Sequence, residues 1–243
     1  MPRAVRAVLA LPAVPALALL AACGPSKEAA TPEAPASAAA SGADPVAPAA
    51  TPATWPSVRA SSGETPDARA ERLRRDPGPH TSNWTPPGKS ARYGRAEGLV
   101  AAPPAAVVAK LGDYFHYRDL AGPKFKTVRV VDKQATTADV YFQLPIMRGA
   151  IVLFYTARFS PPRATADRCQ IVEGTFVKGN VEDVHLVLEA CEIDPQTTAM
   201  GCDLHVGIRV PAPQSAIDEE LRDACADAIK ALRESLKPKA PPP

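Results

Sequence analysis

The chain of 243 residues predicts an α+β fold, a single antiparallel sheet of about six to seven strands with a long C-terminal helix laid across one face. Two observations predict it. Strand-length apolar runs follow one another from Phe125 to Val210 with no helical pattern between them. The stretch after Pro213 then carries Ile217, Leu221, Ala224, Cys225, Ala228, Leu232 and Leu236 three or four residues apart, opposite Glu219, Glu220, Arg222, Asp223, Lys230 and Arg233. A helix with such a stripe must cover it, and the apolar face of a meander is the nearest cover.

Two short helices precede the sheet. Pro103 and Pro104 stand where a first helical turn loses no hydrogen bond, ahead of Val107, Val108 and Leu111. The aromatic segment Asp113 to Leu120 reads as a second helix, stopped by Gly122 and Pro123. The strands are then expected at 125–131, 139–144, 150–159, 169–176, 181–193 and 200–210, rich in Val, Ile, Tyr and Phe and separated by Pro, Gly or polar residues. Asp194 to Thr198 is the turn joining the last two. Ser215, with Asp218 three residues on, is the expected cap of the closing helix.

This domain is expected over residues 86–236. Residues 23–85, dominated by Ala, Pro, Ser and Thr, carry too few large apolar side chains to offset the entropy of ordering and read as a disordered tether. Such a tether would reach about 40 Å as a coil and about 190 Å as polyproline II. The charged run Asp67 to Asp76 within it reads as a solvated stretch rather than a stable helix, and residues 237–243 as a disordered tail. A net charge of +2, with no basic stripe interleaved with aromatics, argues against a nucleic-acid partner.

At the N-terminus, Arg3 and Arg6 precede an apolar run that ends in Leu20-Ala21-Ala22-Cys23-Gly24. The run is too short and too Pro-interrupted to span a bilayer. The tetrad ending in Cys23 resembles the lipobox of bacterial lipoproteins. That resemblance implies a signal peptide over residues 1–22, lipidation of Cys23, and a lipid-anchored place in the cell envelope, at the periplasmic face of the outer membrane. An ordinary cleaved signal ending Ala-x-Ala is the alternative.

Four further cysteines, Cys169, Cys191, Cys202 and Cys225, follow an export signal, so disulfides are expected. A hairpin centred between Gln196 and Thr197 would set Cys191 opposite Cys202, leaving Cys169 for Cys225. That register also puts His185 and His205 on opposite faces, away from any shared metal. No C-x-x-C, H-E-x-x-H, G-x-S-x-G or G-x-G-x-x-G occurs, and the phosphate-loop glycine that Gly88-Lys89-Ser90 would need is Asn83. No metal and no cofactor is therefore expected.

Pro103-Pro104-Ala105-Ala106-Val107-Val108-Ala109-Lys110-Leu111-Gly112-Asp113-Tyr114, with Tyr117-Arg118-Asp119-Leu120, resembles the opening of START-like (SRPBCC) helix-grip domains, the polyketide cyclase and coenzyme Q-binding branches above all. The order of strands and closing helix resembles them too, over about residues 95–236. Val107 or Val108 stands where those domains often have tryptophan. The resemblance implies a curved sheet gripping the last helix around an apolar cavity that takes a lipid or other hydrophobic ligand. Tyr114, Tyr117, Tyr141, Phe154 and Tyr155 are the aromatic candidates to line it, with Leu221, Ala224 and Ala228 from the helix. Glu173, Glu189, Asp139, Arg129 and Arg158 lie on expected strands and would serve an enzyme of cyclase or dehydratase type if they entered the cavity. An interaction module with a filled core is the remaining reading.

Overall fold

The computed structural model describes residues 63–165, 168–208 and 212–237. The expected signal peptide, Cys23 and the start of the tether lie outside the described residues, as does most of the expected tail. In chain order the elements are α1 (Pro66–Arg75), β1 (His80–Trp84), β2 (Tyr93–Val100), α2 (Pro104–Leu111), a 3-10 turn Tyr114–His116, α3 (Tyr117–Leu120), β3 (Thr127–Lys133), β4 (Ala138–Ile146), β5 (Ile151–Phe159), β6 (Arg163–Ala164), β7 (Cys169–Gly179), β8 (Asp183–Asp194), β9 (Thr197–Gly207) and α4 (Gln214–Ser235). The strands form one antiparallel nine-stranded sheet in the order β1-β2-β9-β8-β7-β5-β4-β3, with β6 on β7. The expected strands correspond to β3, β4, β5, β7, β8 and β9. Strands β1, β2 and β6 are additional.

Helix α4 lies across the inner face of the sheet and buries Leu221, Ala224, Cys225, Ala226, Ile229 and Leu232. Each large aliphatic side chain so covered contributes about 2 kcal/mol. The helix begins at Gln214 rather than after Ser215, and Pro213 at its N-cap makes no side-chain hydrogen bond. Strand β2 comes so close beneath it that a Cβ on Gly94 would stand 2.5 Å from Cβ of Leu221 and 2.6 Å from the backbone of Arg222. The glycine therefore sets the depth of the helix on the sheet. Arg233 fastens the far end by donating to the carbonyls of Leu99, Pro77 and Gly78, and Arg222 donates to Asn83 of β1. Short helix α2 closes one end of the core with Val107 and Leu111.

Part of the outer face, over β2, β8 and β9, is also covered, which corrects the expected boundary at residue 86. The charged run is helix α1, capped by Thr65 and burying Arg69, Ala70 and Leu73. Leu73 packs with Cys169, Cys191, Ala199, Leu99 and Ile193. Arg69 is only 3% exposed, and it donates to Glu97, to Glu189 at 3.1 Å and to Sγ of Cys191 at 3.1 Å. Arg72 bridges Glu64 and Glu97 at 2.8 Å each. Next along the face, Asp203 accepts from Arg95 at 2.6 Å and from Trp84 Nε1 at 2.7 Å. A run with only Ala70 and Leu73 as apolar anchors docks because two of its arginines, Arg69 and Arg72, meet Glu97 on β2 and Glu189 on β8. This compensation cannot be seen in the run itself.

Removing one partner from such a buried set leaves a charge uncompensated. Arg69→Ala is therefore expected to lower unfolding free energy by about 3–5 kcal/mol, read from urea titration. A loss below about 1 kcal/mol would contradict the docking of α1. Gly94→Ala is expected to cost about 1–3 kcal/mol in the same assay, by forcing α4 off the sheet. An unchanged urea midpoint would mean that the close approach is absent.

Candidate functional site

Period-two alternation decides which side chains reach the space under α4. On β4 the residues Val140, Phe142 and Leu144 turn inward, and on β5 so do Leu153, Tyr155, Ala157 and Phe159. Between α4 and the sheet lies an apolar cavity of about 50 Å³. Its walls are Tyr117, Leu120 and Ala121 from the α3 segment, Phe125, Phe142 and Tyr155 from the first half of the sheet, Leu186, Leu188, Cys202 and Leu204 from β8 and β9, and Ala224, Cys225 and Ala228 from the helix. Small-molecule sites span about 300–1,000 Å³, so the cavity holds little more than a few water-sized volumes. The roomy interior expected from the resemblance is largely filled.

Aromatic rings do most of the filling. Phe142 stacks on Tyr155 at 5.2 Å and meets Phe125 edge-on at 5.6 Å, while Tyr117 meets Phe159 edge-on at 4.8 Å. The Tyr117 hydroxyl is spent on the carbonyl of Leu111 at 2.6 Å. Tyr155 is 3% exposed, and its hydroxyl has no hydrogen-bond partner among the described residues. Burial pushes that hydroxyl well above its ordinary pKa, with Cys225 and Cys202 within electrostatic reach. It is thus a neutral donor at any physiological pH, set in a wall that is mostly apolar.

Of the residues expected at the cavity, Tyr117, Tyr155, Ala224 and Ala228 line it. The others are corrections. Tyr141 turns to the outer face, where Arg129 sits 5.5 Å from its ring, and Phe154 is 43% exposed on the same side. Tyr114 ties its hydroxyl to the carbonyl of Ser160 at 2.8 Å, and Leu221 is buried over Gly94. Phe125, Phe142 and the β8–β9 leucines had not been singled out. For Phe142 the signal was present, because Ala138, Val140, Phe142, Leu144 and Ile146 alternate along β4.

The charged strand residues do not enter the cavity. Asp139 and Arg158 pair across β4 and β5 at 2.7 Å, Glu189 lies under α1, and Glu173 meets Arg163 and, at 3.4 Å, His185. Among the described residues lining the cavity there is no carboxylate, histidine, lysine or arginine.

The disulfide joins Cys169 to Cys191, which correspond directly across β7 and β8, and not Cys191 to Cys202 or Cys169 to Cys225. Cys191 faces Ala199 and Cys202 faces Leu188. The reason is the β8–β9 hairpin, whose tight turn at Pro195-Gln196 and bulge between Glu192 and Asp194 slide the register by three residues from that expected. An odd slip reverses which residues share a face. His185 and His205 are therefore direct cross-strand neighbours on the outer face, flanking Tyr93, whose hydroxyl lies 3.0 Å from His185 Nδ1. The grouping of three metal-ligand side chains found among the described residues is Cys169, Glu189 and Cys191, whose sulfurs are already bonded to each other.

A curved antiparallel sheet gripping a long C-terminal helix around a small apolar cavity is the START-like, helix-grip architecture. Among solved structures, the chain is similar to a STAR-related lipid transfer protein from Xanthomonas axonopodis at 16% identity and a TM-score of 0.53, over 66% of this chain and 99% of that one. It is similar also to human StAR-related lipid transfer protein 5 at 12% identity and a TM-score of 0.51, over 74% of this chain and 98% of that one. Identities this low show the fold alone. No protein-family model and no curated protein matches the sequence.

Several buried carboxylates titrate abnormally. Burial pushes the Glu97 carboxyl up, but the Arg69 and Arg95 charges and the Arg72 hydrogen bond outweigh it and hold it below its ordinary value of 4.5. The Arg72 hydrogen bond does the same to Glu64, and Glu173 is lowered by His185 and Arg163 against its own burial. Stability from such groups is fully present above about pH 4.5 and is lost as pH falls through their folded values. Asp203, raised by burial, works in the opposite sense. The urea midpoint is expected to fall between pH 5 and pH 3, and a midpoint that stays level or rises would contradict the network. Reducing Cys169–Cys191 is expected to cost about 3 kcal/mol in the same titration.

Proposed function

We propose that this chain is a lipid-anchored protein of the bacterial cell envelope whose helix-grip domain binds, and carries between membranes, a hydrophobic small molecule or lipid held between α4 and the sheet. The observation that carries this reading is the apolar cavity at that place, with the small side chains Ala224 and Ala228 facing it from the helix and Tyr155 in its wall. A cavity of about 50 Å³ admits no lipid as it stands, so uptake requires α4 or the α3 segment to move outward. The ligand would be mostly hydrocarbon with one acceptor oxygen for Tyr155. The lipid-transfer names of the structures similar in fold support the same class.

The membrane side of the proposal rests on Cys23 and its preceding residues. Among the described residues no helix is long and apolar enough to cross a membrane. Two acyl chains at Cys23 would anchor the protein stably, and the segment from Gly24 to α1 would set how far the domain reaches.

A second reading, a protein-interaction module with a filled core, is favoured by the small cavity volume. Native purification followed by solvent extraction and mass spectrometry separates the two. A stoichiometric hydrophobic species, lost together with ligand-induced thermal shift in Ala228→Trp, is expected for the carrier. Empty preparations with no shift from fatty acids, sterols or quinones would favour the module. Cys23→Ala is expected to lose labelled palmitate and move from the membrane to the soluble fraction, and unchanged fractionation would overturn the anchor.

A further inference from the structure

Cys202 on β9 and Cys225 on α4 are both buried, at 2% and 0% exposure, and their sulfurs stand 2.7 Å apart. That is within about 0.7 Å of a disulfide bond length. They lie on opposite walls of the cavity, one on the sheet and one on the helix, and Cys225 Sγ also reaches the Gly94 carbonyl at 3.5 Å. The same domain holds Cys169–Cys191 as a disulfide, so the fold already persists in oxidised form.

We infer that Cys202 and Cys225 are a second, oxidisable pair whose disulfide ties α4 covalently to β9 beside the cavity. The oxidant is a disulfide, R–S–S–R, either a small molecule or another protein's. A cysteine thiolate attacks one sulfur of R–S–S–R and releases R–S⁻, and the second cysteine displaces the other R–S⁻ from the mixed disulfide. The two cysteines lose two electrons and two protons, and the oxidant becomes two R–SH. This does not depend on whether the cavity takes a ligand.

The chemistry also fixes when the reaction runs. Both cysteines are out of reach of solvent, at 2% and 0% exposure, and burial with the Cys202 contact raises the Cys225 thiol, so R–S–S–R cannot meet them while α4 is seated. Exchange therefore proceeds through molecules in which the helix has lifted, and the bond then traps the helix in place. Reduced protein can open there and oxidised protein cannot.

The full chain, reduced and then equilibrated with oxidised glutathione in low urea, returned to buffer, denatured, blocked with N-ethylmaleimide and digested, gives the pairing by peptide mass. The expected result is a linked peptide joining Cys202 to Cys225 in most molecules, formed several-fold faster in urea than in buffer. Oxidation of the native chain is expected to raise Tm by about 5–10 °C more than oxidation of Cys225→Ala, in which Cys202 has lost its neighbour. Should that variant fail to fold, Cys202→Ala serves the same comparison, and the peptide map needs neither. Recovery of Cys202 and Cys225 as maleimide adducts while Cys169–Cys191 is linked would overturn the inference. So would a link from either of them to Cys23, Cys169 or Cys191.

Discussion

The close seating of α4 on β2 is the contact on which the rest of the domain depends. The helix carries an apolar stripe from Leu221 to Leu232, and only the inner face of the sheet can cover it. Gly94 lets the two backbones approach, Arg222 and Arg233 pin the helix to β1, to the residues before it and to the end of β2, and β9 supplies the next row of apolar residues. The cavity is what remains where the helix offers alanine instead of leucine, at Ala224 and Ala228. Its size follows from this seating, because any shift of the helix opens or closes it.

The outer face follows a different physical logic. Strand β2 alternates Arg95 and Glu97 outward, and such residues on an exposed strand would face water. Here they are buried, Glu97 satisfied by Arg69 and Arg72 of α1 and Arg95 by Asp203. A buried charge set of this kind is weak evidence for net stability and strong evidence for a fixed docking geometry, since every group requires its partner. It gives the two faces different bonding: apolar contact around a small cavity on the inner side, and paired charge beside the Leu73 cluster under α1 on the outer side.

This difference governs how much was legible in the sequence. Helix α4 and strands β3, β4, β5, β7, β8 and β9 announce themselves by apolar periodicity, and the helix-grip architecture follows from their order. Helix α1 and strand β2 were hidden because their burial works through charge and glycine, which read as solvated chain when partners far away in sequence are unknown. The disulfide was misread for a local reason. A bulge next to Pro195-Gln196 moves the β8–β9 register by three residues, which takes Cys202 away from Cys191 and brings His185 and His205 together, while the β7–β8 register sets Cys169 opposite Cys191. Aromatic content alone ranked Tyr141 and Phe154 with Tyr155, whereas strand alternation puts them on the other face.

The account stands or falls on the space between α4 and the sheet widening to take a hydrocarbon. Methyl-resolved NMR of the domain titrated with decanoate tests this most directly. It predicts saturable shifts and ligand contacts at Leu186, Leu188, Leu204 and Ala224, with the Arg69 and Leu73 region unmoved. Shifts confined to the exposed outer face around Val152 and Phe154, or none at concentrations up to micelle formation, would contradict it.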